Sequence, residues 1–207
     1  PYRMSSFGAL YALRTRISKK VGTKRVKTGH AGTLDPLATG VLVLCTGKAT
    51  KQIDSLMLHD KEYTATLQFG ATTPSFDMEH TVDHTYPKHH ITRELLEETL
   101  RNFVRKVPLG RMGHEVQLEA KTVHVEEIEL TDFDDVNKRA SIRVVCGKGT
   151  YIRSLARDIG KAVGSGAFLT ALCRTRVGNV RIEDCHTMDD FQEWLDGLWS
   201  GTLPWSF

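Results

Sequence analysis

The chain has 207 residues, of which 40% are hydrophobic and 26% are charged, and its net charge is +3. This composition predicts one globular domain with a full core. It excludes a membrane-spanning protein, because no apolar stretch reaches the roughly 18 residues that a span needs, and we expect no signal peptide. The four cysteines form no C-x-x-C pair, so we expect no zinc site or disulfide framework and a cytoplasmic location.

Apolar periodicity predicts helices and strands that alternate along the chain. The first element is a helix over 5–20, with Ser5 or Ser6 as N-cap and Gly22 as its end. The later elements are, in order, a buried strand over 40–47, a short helix over 48–58, a strand over 61–70, a long loop over 71–90, a helix over 92–104, antiparallel strands over 121–130 and 140–147, a helix over 150–163, a strand over 172–182 and a closing helix over 187–198. Strands joined by hairpins, with helices between them, predict an α+β fold around a largely antiparallel sheet.

Positive charge is concentrated in two segments. Seven Lys or Arg residues lie between 14 and 27 without an acid, and seven lie between 148 and 181 against Asp158 alone. After Arg181 there are six acids and no Lys or Arg. This distribution indicates one basic face and an acidic back, which is typical of a protein that binds a polyanion. Scattered solvated charges are the alternative.

Three short stretches carry polar side chains that a fold alone would not require. Asp35 lies in a turn of Gly, Thr and Pro directly before an apolar run. Lys61 and Tyr63 share one face of a predicted strand, because side chains on a strand repeat every two residues. Arg153 falls in the first turn of a helix that follows two glycines, where backbone amides can bind phosphate. Each has a structural explanation, but their joint occurrence favours a catalytic site.

Other site signatures are absent from the sequence. The stretch before Gly47-Lys48 lacks the glycine and the Ser or Thr of a phosphate-binding loop. The Asp-rich hairpin near Asp132 lacks the glycine and final glutamate of a calcium loop, and no histidines have a zinc spacing. We therefore expect no metal site.

Four motifs, in this order and spacing, make the sequence similar to the TruB-type tRNA pseudouridine synthases: "GHAGTLDPLATGVL", "KEYTATLQFGATTPSFD", "VVCGKGTYIRSLARDIG" and "LCRTRVG". The similarity covers most of residues 1–182. It implies the pseudouridine synthase fold, a mixed and largely antiparallel sheet flanked by helices and loops. It also implies an isomerase that converts U55 in the T loop of tRNA to pseudouridine without a cofactor.

The resemblance assigns the catalytic roles to three residues. Asp35 corresponds to the carboxylate beside the sugar, which acts as a nucleophile or stabilises oxocarbenium character while the C1′–N1 bond is cut. Arg153 corresponds to the arginine that pairs with this carboxylate and aims it. Tyr63 corresponds to the active-site tyrosine, whose ring can stack on the flipped base and whose hydroxyl lies where the C5 proton is removed.

The resemblance also implies residues that bind the substrate. His30 corresponds to the residue that fills the gap left by the extruded nucleotide. The remaining candidates for the phosphate and base pocket are Lys61, Lys148 and Tyr151, with Leu172 as an apolar wall. The implied partner is the T-stem loop of tRNA, bound by a monomer that needs no guide RNA.

Three features depart from the family pattern. Arg3 stands where glycine is usual in the opening motif. Between 104 and 115 only "PLGRMGH" replaces a longer expected loop, so either the protein lacks this loop or the sequence omits part of it, and we favour the omission. Residues 183–207 are too few for a full PUA domain, so we expect a catalytic domain over 1–182 and an acidic C-terminal helix or tail.

A second function remains open from the sequence. A catalytically inactive RNA-binding or tRNA-folding module would keep the basic residues and the aromatic residues. Such a module has no use for an acid in a cleft that binds phosphate. Asp35 beside intact second and third motifs therefore favours the enzyme.

Overall fold

A computed structural model describes residues 2–104, 107–108 and 122–199. The helices in these ranges are α1 (Ser6–Lys20), α2 (Ile53–Leu56), α3 (Arg93–Arg101), α4 (Ile152–Ala162) and α5 (Phe191–Trp199). The strands are β1 (Thr28–His30), β2 (Thr39–Gly40), β3 (Leu44–Thr46), β4 (Lys61–Phe69), β5 (Ala71–Thr72), β6 (His84–Thr85), β7 (Val107–Pro108), β8 (Thr122–Val123), β9 (Val125–Asp134), β10 (Arg139–Cys146), β11 (Ala167–Val177) and β12 (Val180–Arg181). No helix among the described residues is long and apolar enough to cross a membrane.

The central sheet has the strand order β12-β11-β4-β10-β9, and every pair along this path is antiparallel. Strand β2 adds to it by a short parallel pairing with β11. The register of β11 against β4 shifts twice, between Leu169 and Ala171 and between Arg174 and Arg176. Such bulges bend a strand and redirect its side chains. This mixed, largely antiparallel sheet with its helices confirms the predicted α+β class.

The core lies on one face of the sheet. Strand β4 alternates between buried and more exposed residues, so that Tyr63, Leu67 and Phe69 point to the same side. The helices α3 and α4 cover that side with Leu96, Leu100, Ile152, Leu155 and Ile159. The packed helix α4 places its first turn, and Arg153 with it, at the edge of this core.

Sequence periodicity predicted the long elements well. The helix α1 begins after the N-cap Ser5, whose hydroxyl accepts from the Gly8 amide, and ends before Gly22 at a φ of +70°. Thr92 caps α3 as predicted, and its hydroxyl accepts from the Leu95 amide. These helices are determined by local caps and periodicity, which explains why the sequence alone was enough.

One predicted strand is wrong. The apolar run over 40–47 is not a continuous strand but two short ones, β2 and β3, with irregular backbone between them. The Val41 amide donates to the carbonyl of Arg174, and the Ala31 amide donates to the carbonyl of Val43. The run therefore divides its hydrogen bonds between β11 and the chain after β1, which local sequence does not specify.

Two other boundaries differ from the prediction. Strand β11 begins at Ala167, five residues before the predicted 172, and β9 continues to Asp134 into the predicted hairpin connection. The loop over 71–90 contains the short ribbon of β5 and β6. The predicted loop departure near 104–112 lies largely outside the described residues.

Candidate active site

The turn that carries Asp35 is anchored on both sides. The Leu34 amide donates to the Ser6 hydroxyl at 2.8 Å, which joins the turn to the first residue of α1. The Arg3 amide donates to the Pro36 carbonyl at 2.7 Å, and the Ala38 amide donates to the Asp35 carbonyl at 2.9 Å. These bonds hold the backbone around Asp35 in one conformation.

Two glycines allow this turn to pack against β11. Gly32 and Gly40 have φ values of +98° and +105°, which side chains with a Cβ rarely adopt. A Cβ on Gly40 would lie 2.1 Å from the carbonyl oxygen of Arg174. Arg3, at the position where glycine is usual in the motif, also has a positive φ, of 63°. The turn and the opening segment therefore use the backbone conformation that favours glycine.

Arg153 contacts Asp35 in the predicted way. Its Nε donates to Asp35 Oδ2 at 2.9 Å, and its Nη2 donates to Oδ1 at 3.1 Å. The side chains of Arg153 and Asp35 are 29% and 33% exposed. An ion pair this accessible adds only about 1 kcal/mol to stability. The value of the bidentate contact therefore lies in orienting the carboxylate.

A second carboxylate approaches the same arginine, and sequence reasoning missed it. Asp77 Oδ2 lies 3.8 Å from Arg153 Nε, and the Asp77 side chain is 9% exposed. Asp77 closes the second motif, "KEYTATLQFGATTPSFD", which was the only signal available for it. The loop over 71–90 folds back by long-range contacts, so its distance from Arg153 could not be read from spacing.

Asp35, Asp77, Arg153 and Leu172 line one shallow, open pocket. The other lining residues are Tyr2, Leu37, Ala38, Met78, Leu169, Thr170 and Ala171. Residues 169–172 span the first bulge of β11, a feature that redirects side chains. Leu172 therefore lies where the resemblance placed an apolar wall.

Tyr63 is close to the site but does not line this pocket. Its side chain belongs to the core, and the residue is only 8% exposed. Burial raises the pKa of the Tyr63 phenol, an effect that the nearby charge of Arg174 and a hydrogen bond from it oppose. The phenol is therefore protonated at neutral pH. Tyr63 therefore lies in the core beside Arg174 and is not among the residues that line the pocket of Asp35.

Arg174 is the second residue that sequence reasoning missed. It is 1% exposed, and its guanidinium donates to three backbone carbonyls, those of Gly32, Thr33 and Val41 at 3.2, 3.3 and 2.8 Å. Gly32 and Thr33 directly precede the Asp35 turn. Among the described residues no carboxylate lies within 4 Å of this guanidinium. Arg174 thus stabilises the Asp35 turn by hydrogen bonds to uncharged backbone carbonyls.

His30 lies at the end of β1, half-buried, with its Nδ1 buried and without a hydrogen-bond partner among the described residues. Burial lowers the pKa of His30 from its ordinary value of 6.5, and the charge of Arg174 lowers it further. The ring is therefore neutral at neutral pH. A neutral ring suits the predicted role of filling a gap between bases.

We expect acid to destabilise the protein through His30. Because its folded pKa lies below 6.5, the unfolded chain binds the proton more readily. The contribution of His30 to stability is complete above pH 6.5 and is lost as pH falls through the folded pKa. Urea midpoints at pH 7.5 and 5.5 should therefore differ less in His30→Phe than in the wild type. An equal difference in both proteins would contradict this, and the exposed His89→Phe serves as the control.

Of the remaining predicted residues, one is buried and two are exposed. Lys61 is 7% exposed, and its ammonium donates to the carbonyls of Met57 and His59. Burial lowers the pKa of Lys61, and the charge of Arg174 acts in the same direction. Lys61 therefore holds the chain before β4 and presents no group to a phosphate. Lys148 and Tyr151 are exposed on the segment that leads into α4, where Tyr151 is the N-cap residue.

The two basic segments of the sequence behave differently in the structure. Arg153 and Arg176 of the second segment lie in ion pairs, and Arg174 is buried. Five cations of the first segment lie on the surface without an ion pair among the described residues. We call these the basic surface: Arg14, Lys19, Lys24, Arg25 and Lys27. Strand β1 joins this surface to the Asp35 turn.

Aromatic side chains extend the basic surface along α1. Phe7 and Tyr11 are 64% and 56% exposed, and the Arg14 guanidinium lies 5.1 Å from the Tyr11 ring centroid. Tyr2, 53% exposed, lines the pocket with Asp35. No cluster of three or more His, Cys, Asp or Glu within the described ranges is arranged to hold a metal ion.

Two family profiles match the sequence. The TruB family pseudouridylate synthase N-terminal domain matches residues 18–109, and the tRNA pseudouridylate synthase B C-terminal domain matches residues 153–198. A relative in Phocaeicola vulgatus, named tRNA pseudouridine synthase B, is 52% identical over 214 residues, which cover 95% of this chain and 90% of the relative. A relative of the same name in Bacteroides thetaiotaomicron is 53% identical over 216 residues, with the same coverage of each chain.

Solved structures with the same fold include an archaeal box H/ACA sRNP Nop10-Cbf5 complex, with a TM-score of 0.72, 24% identity and 98% of this chain covered. An H/ACA RNP bound to a substrate RNA containing 2'-deoxyuridine gives a TM-score of 0.73 and 25% identity, with 99% covered. The chain spans about half the length of these solved chains, 54% in both cases. These likenesses agree with the antiparallel sheet and helices described above.

Proposed function

The chain belongs to the TruB family of pseudouridylate synthases, and from this premise we propose that it converts U55 in the T loop of tRNA to pseudouridine. The observation that carries this proposal is the bidentate pairing of Asp35 with Arg153 at an open pocket. A carboxylate fixed at such a point suits chemistry at a sugar carbon. A protein that only binds RNA gains nothing from an acid there, because it repels phosphate.

The reaction is an isomerisation, so its atoms balance within the nucleotide. The C1′–N1 bond breaks, the uracil rotates, and a C1′–C5 bond forms. C5 then loses its proton and N1 gains one. Uracil is both leaving group and nucleophile, so the balance requires no cofactor. In the proposal Asp35 attacks C1′ or stabilises its positive charge, and both roles need the carboxylate ionised and aimed.

The other residues hold the base and the carboxylate. Arg153 binds both oxygens of Asp35, and Leu172 lines the same pocket as an apolar residue. The protonated phenol of Tyr63 cannot accept a proton at neutral pH without first losing its own. We therefore assign no proton transfer to Tyr63 in the arrangement described above. Stacking of its ring on the base stays a prediction of the family resemblance, because the ring does not line the pocket.

The RNA interface of this proposal combines the pocket with the basic surface. A flipped uridine in the pocket requires the flanking nucleotides and the stem to lie across the adjacent protein. The exposed Phe7 and Tyr11 can stack on unpaired bases, and the basic surface can neutralise the stem phosphates. Lys148 and Tyr151 lie on the segment before Arg153 and are proposed to contact the same RNA.

We expect tRNA binding to weaken steeply with salt. Each phosphate neutralised contributes about 0.9 to the log–log slope of affinity against salt for a duplex and about 0.7 for a single strand. Replacing Lys24, Arg25 and Lys27 together by Ala should therefore reduce the slope by about 2 to 3. The matched control replaces Arg93, Arg101 and Arg139, which are exposed elsewhere. An equal slope in wild type and variant would mean that the basic surface does not contact RNA.

The direct test is incubation with an unmodified tRNA transcript, followed by chemical detection of pseudouridine at each uridine. We expect modification at U55 and none in a transcript with cytidine at that position. Modification of another uridine alone would contradict the proposed specificity. Binding without any modification would support the alternative, a catalytically inactive RNA-binding module.

Three further parts of the proposal concern the organisation of the protein. We propose that residues 1–182 form the catalytic domain and that 183–207 form an acidic segment, which Asp196 ties to Lys20 of α1 by an ion pair of 2.6 Å. We also propose that the protein acts as a monomer without guide RNA, because the Asp35–Arg153 pair is complete within this chain. The bacterial relatives are named for tRNA, so we propose that the protein acts where tRNA resides, in the cytoplasm.

A further inference from the structure

The Asp77 carboxylate divides its two oxygens between different partners. Oδ1 accepts from the Ser75 hydroxyl at 2.6 Å and from the Glu79 amide at 3.0 Å. Oδ2 lies 3.8 Å from Arg153 Nε, beyond hydrogen-bond distance. Asp35 binds the same arginine at 2.9 and 3.1 Å. The two carboxylates thus compete for one guanidinium, and Asp35 has the closer contact.

The hydrogen-bond chain continues from Ser75 to His80. His80 Nδ1 lies 3.1 Å from the Ser75 hydroxyl oxygen. A serine hydroxyl has one hydrogen, and a carboxylate can only accept, so that hydrogen points to Asp77. Ser75 can then only accept from His80, which requires the hydrogen of His80 to be on Nδ1. The chain of donors therefore runs from His80 through Ser75 to Asp77.

The backbone of this loop is fixed independently of that chain. The Thr73 hydroxyl donates to the Asp77 carbonyl at 2.6 Å, and the Leu169 amide donates to the Phe76 carbonyl at 2.9 Å. Arg153 Nη1 donates to the Ser75 carbonyl at 3.4 Å. These contacts do not involve the Ser75 hydroxyl. Removing it therefore leaves the Glu79 amide as the one remaining donor to Oδ1 among the described residues, so the Asp77 carboxylate is held less firmly while the loop stays in place.

We propose that Ser75 and His80 are positioning residues for the isomerisation. They hold Asp77 Oδ1 away from Arg153, which leaves the guanidinium to Asp35. Without them the Glu79 amide alone restrains Oδ1, so the Asp77 carboxylate turns more readily toward Arg153 and draws it away from Asp35. The inference rests on the proposed function for its kinetic consequence, whereas the hydrogen-bond chain itself is independent of that function.

Ser75→Ala should lower kcat about tenfold with KM changed less than twofold, as expected for one hydrogen bond to a charged group. Ser75→Thr, which keeps the hydroxyl, should restore kcat. His80→Ala should lower kcat about threefold, and His80→Asn should restore it, because its amide can donate from nearly the position of Nδ1. The exposed Ser55→Ala, on α2, is the matched control.

Asp77→Asn removes the competing charge, so Ser75→Ala should cause no further loss of kcat in that background, and the two substitutions should lower Tm less than additively. Additive losses of kcat and Tm, a rise in KM at constant kcat, or failure of Ser75→Thr would overturn the proposal. The Tm comparison needs no turnover. If the wild type forms no pseudouridine, the proposed function fails while the Tm comparison still decides whether Ser75 acts through Asp77.

Discussion

Asp35→Asn is expected to lower pseudouridine formation by about 10⁴-fold or more while tRNA binding stays within a few-fold of wild type. The amide keeps the size of the carboxylate and one acceptor for Arg153, but it loses the charge. It can neither attack C1′ nor stabilise positive charge there. Binding depends on the basic surface and the pocket walls, which the substitution leaves in place. Single-turnover assays with excess enzyme would measure both effects.

The control for this experiment is Asp54→Asn. Asp54 is exposed on α2 and is the next acid along the chain after Asp35. Its substitution should leave turnover unchanged. If pure Asp35→Asn enzyme formed pseudouridine at a rate near that of the control, another group would have to carry the reaction. If it lost tRNA binding as well, Asp35 would be a structural residue of the cleft.

The fold was predictable where local signals decide it. Ser5, Thr92 and Gly22 mark helix ends by their own chemistry, and the alternation of β4 states which face is buried. The apolar run over 40–47 gave no such signal. Its amides and carbonyls pair with residues more than 100 positions away in β11 as well as with the nearby chain at Ala31, so that run breaks into two short strands.

The candidate site was predictable only where a sequence motif marks its residues. The motif similarity identified Asp35 and Arg153, and the structure contains the expected contact between them. Lys61 lies on the same face of β4 as Tyr63, as predicted, but its ammonium donates to the carbonyls of Met57 and His59. Asp77 and Arg174 reach the site only through long-range packing of a loop and a bulged strand. In the sequence Arg174 was one cation among seven, and nothing indicated that it would be buried.

Arg174→Met should lower the free energy of unfolding by about 3 kcal/mol or more. The methionine fills much of the same volume but donates no hydrogen bond. The Val41 carbonyl would then be buried without its donor, which costs about 1–3 kcal/mol, and the partly buried carbonyls of Gly32 and Thr33 would lose theirs as well. The Asp35 turn loses its hydrogen bonds from the Arg174 guanidinium, so kcat should fall as well. Urea unfolding and the pseudouridine assay measure the two effects.

Arg176→Met is the matched control, since it makes the same change two residues along β11. Arg176 lies 4.0 Å from Glu62, and its side chain is 23% exposed, so its loss should cost about 1 kcal/mol or less. Arg174→Lys tests geometry against charge, because an ammonium cannot reach three carbonyls as the planar guanidinium does. It should recover only part of the stability. Equal stabilities for Arg174→Met and Arg176→Met would mean that the Asp35 turn is held by its own backbone bonds and by Ser6. Full recovery in Arg174→Lys would mean that charge near Tyr63 and His30, rather than the three carbonyl contacts, is what the site requires.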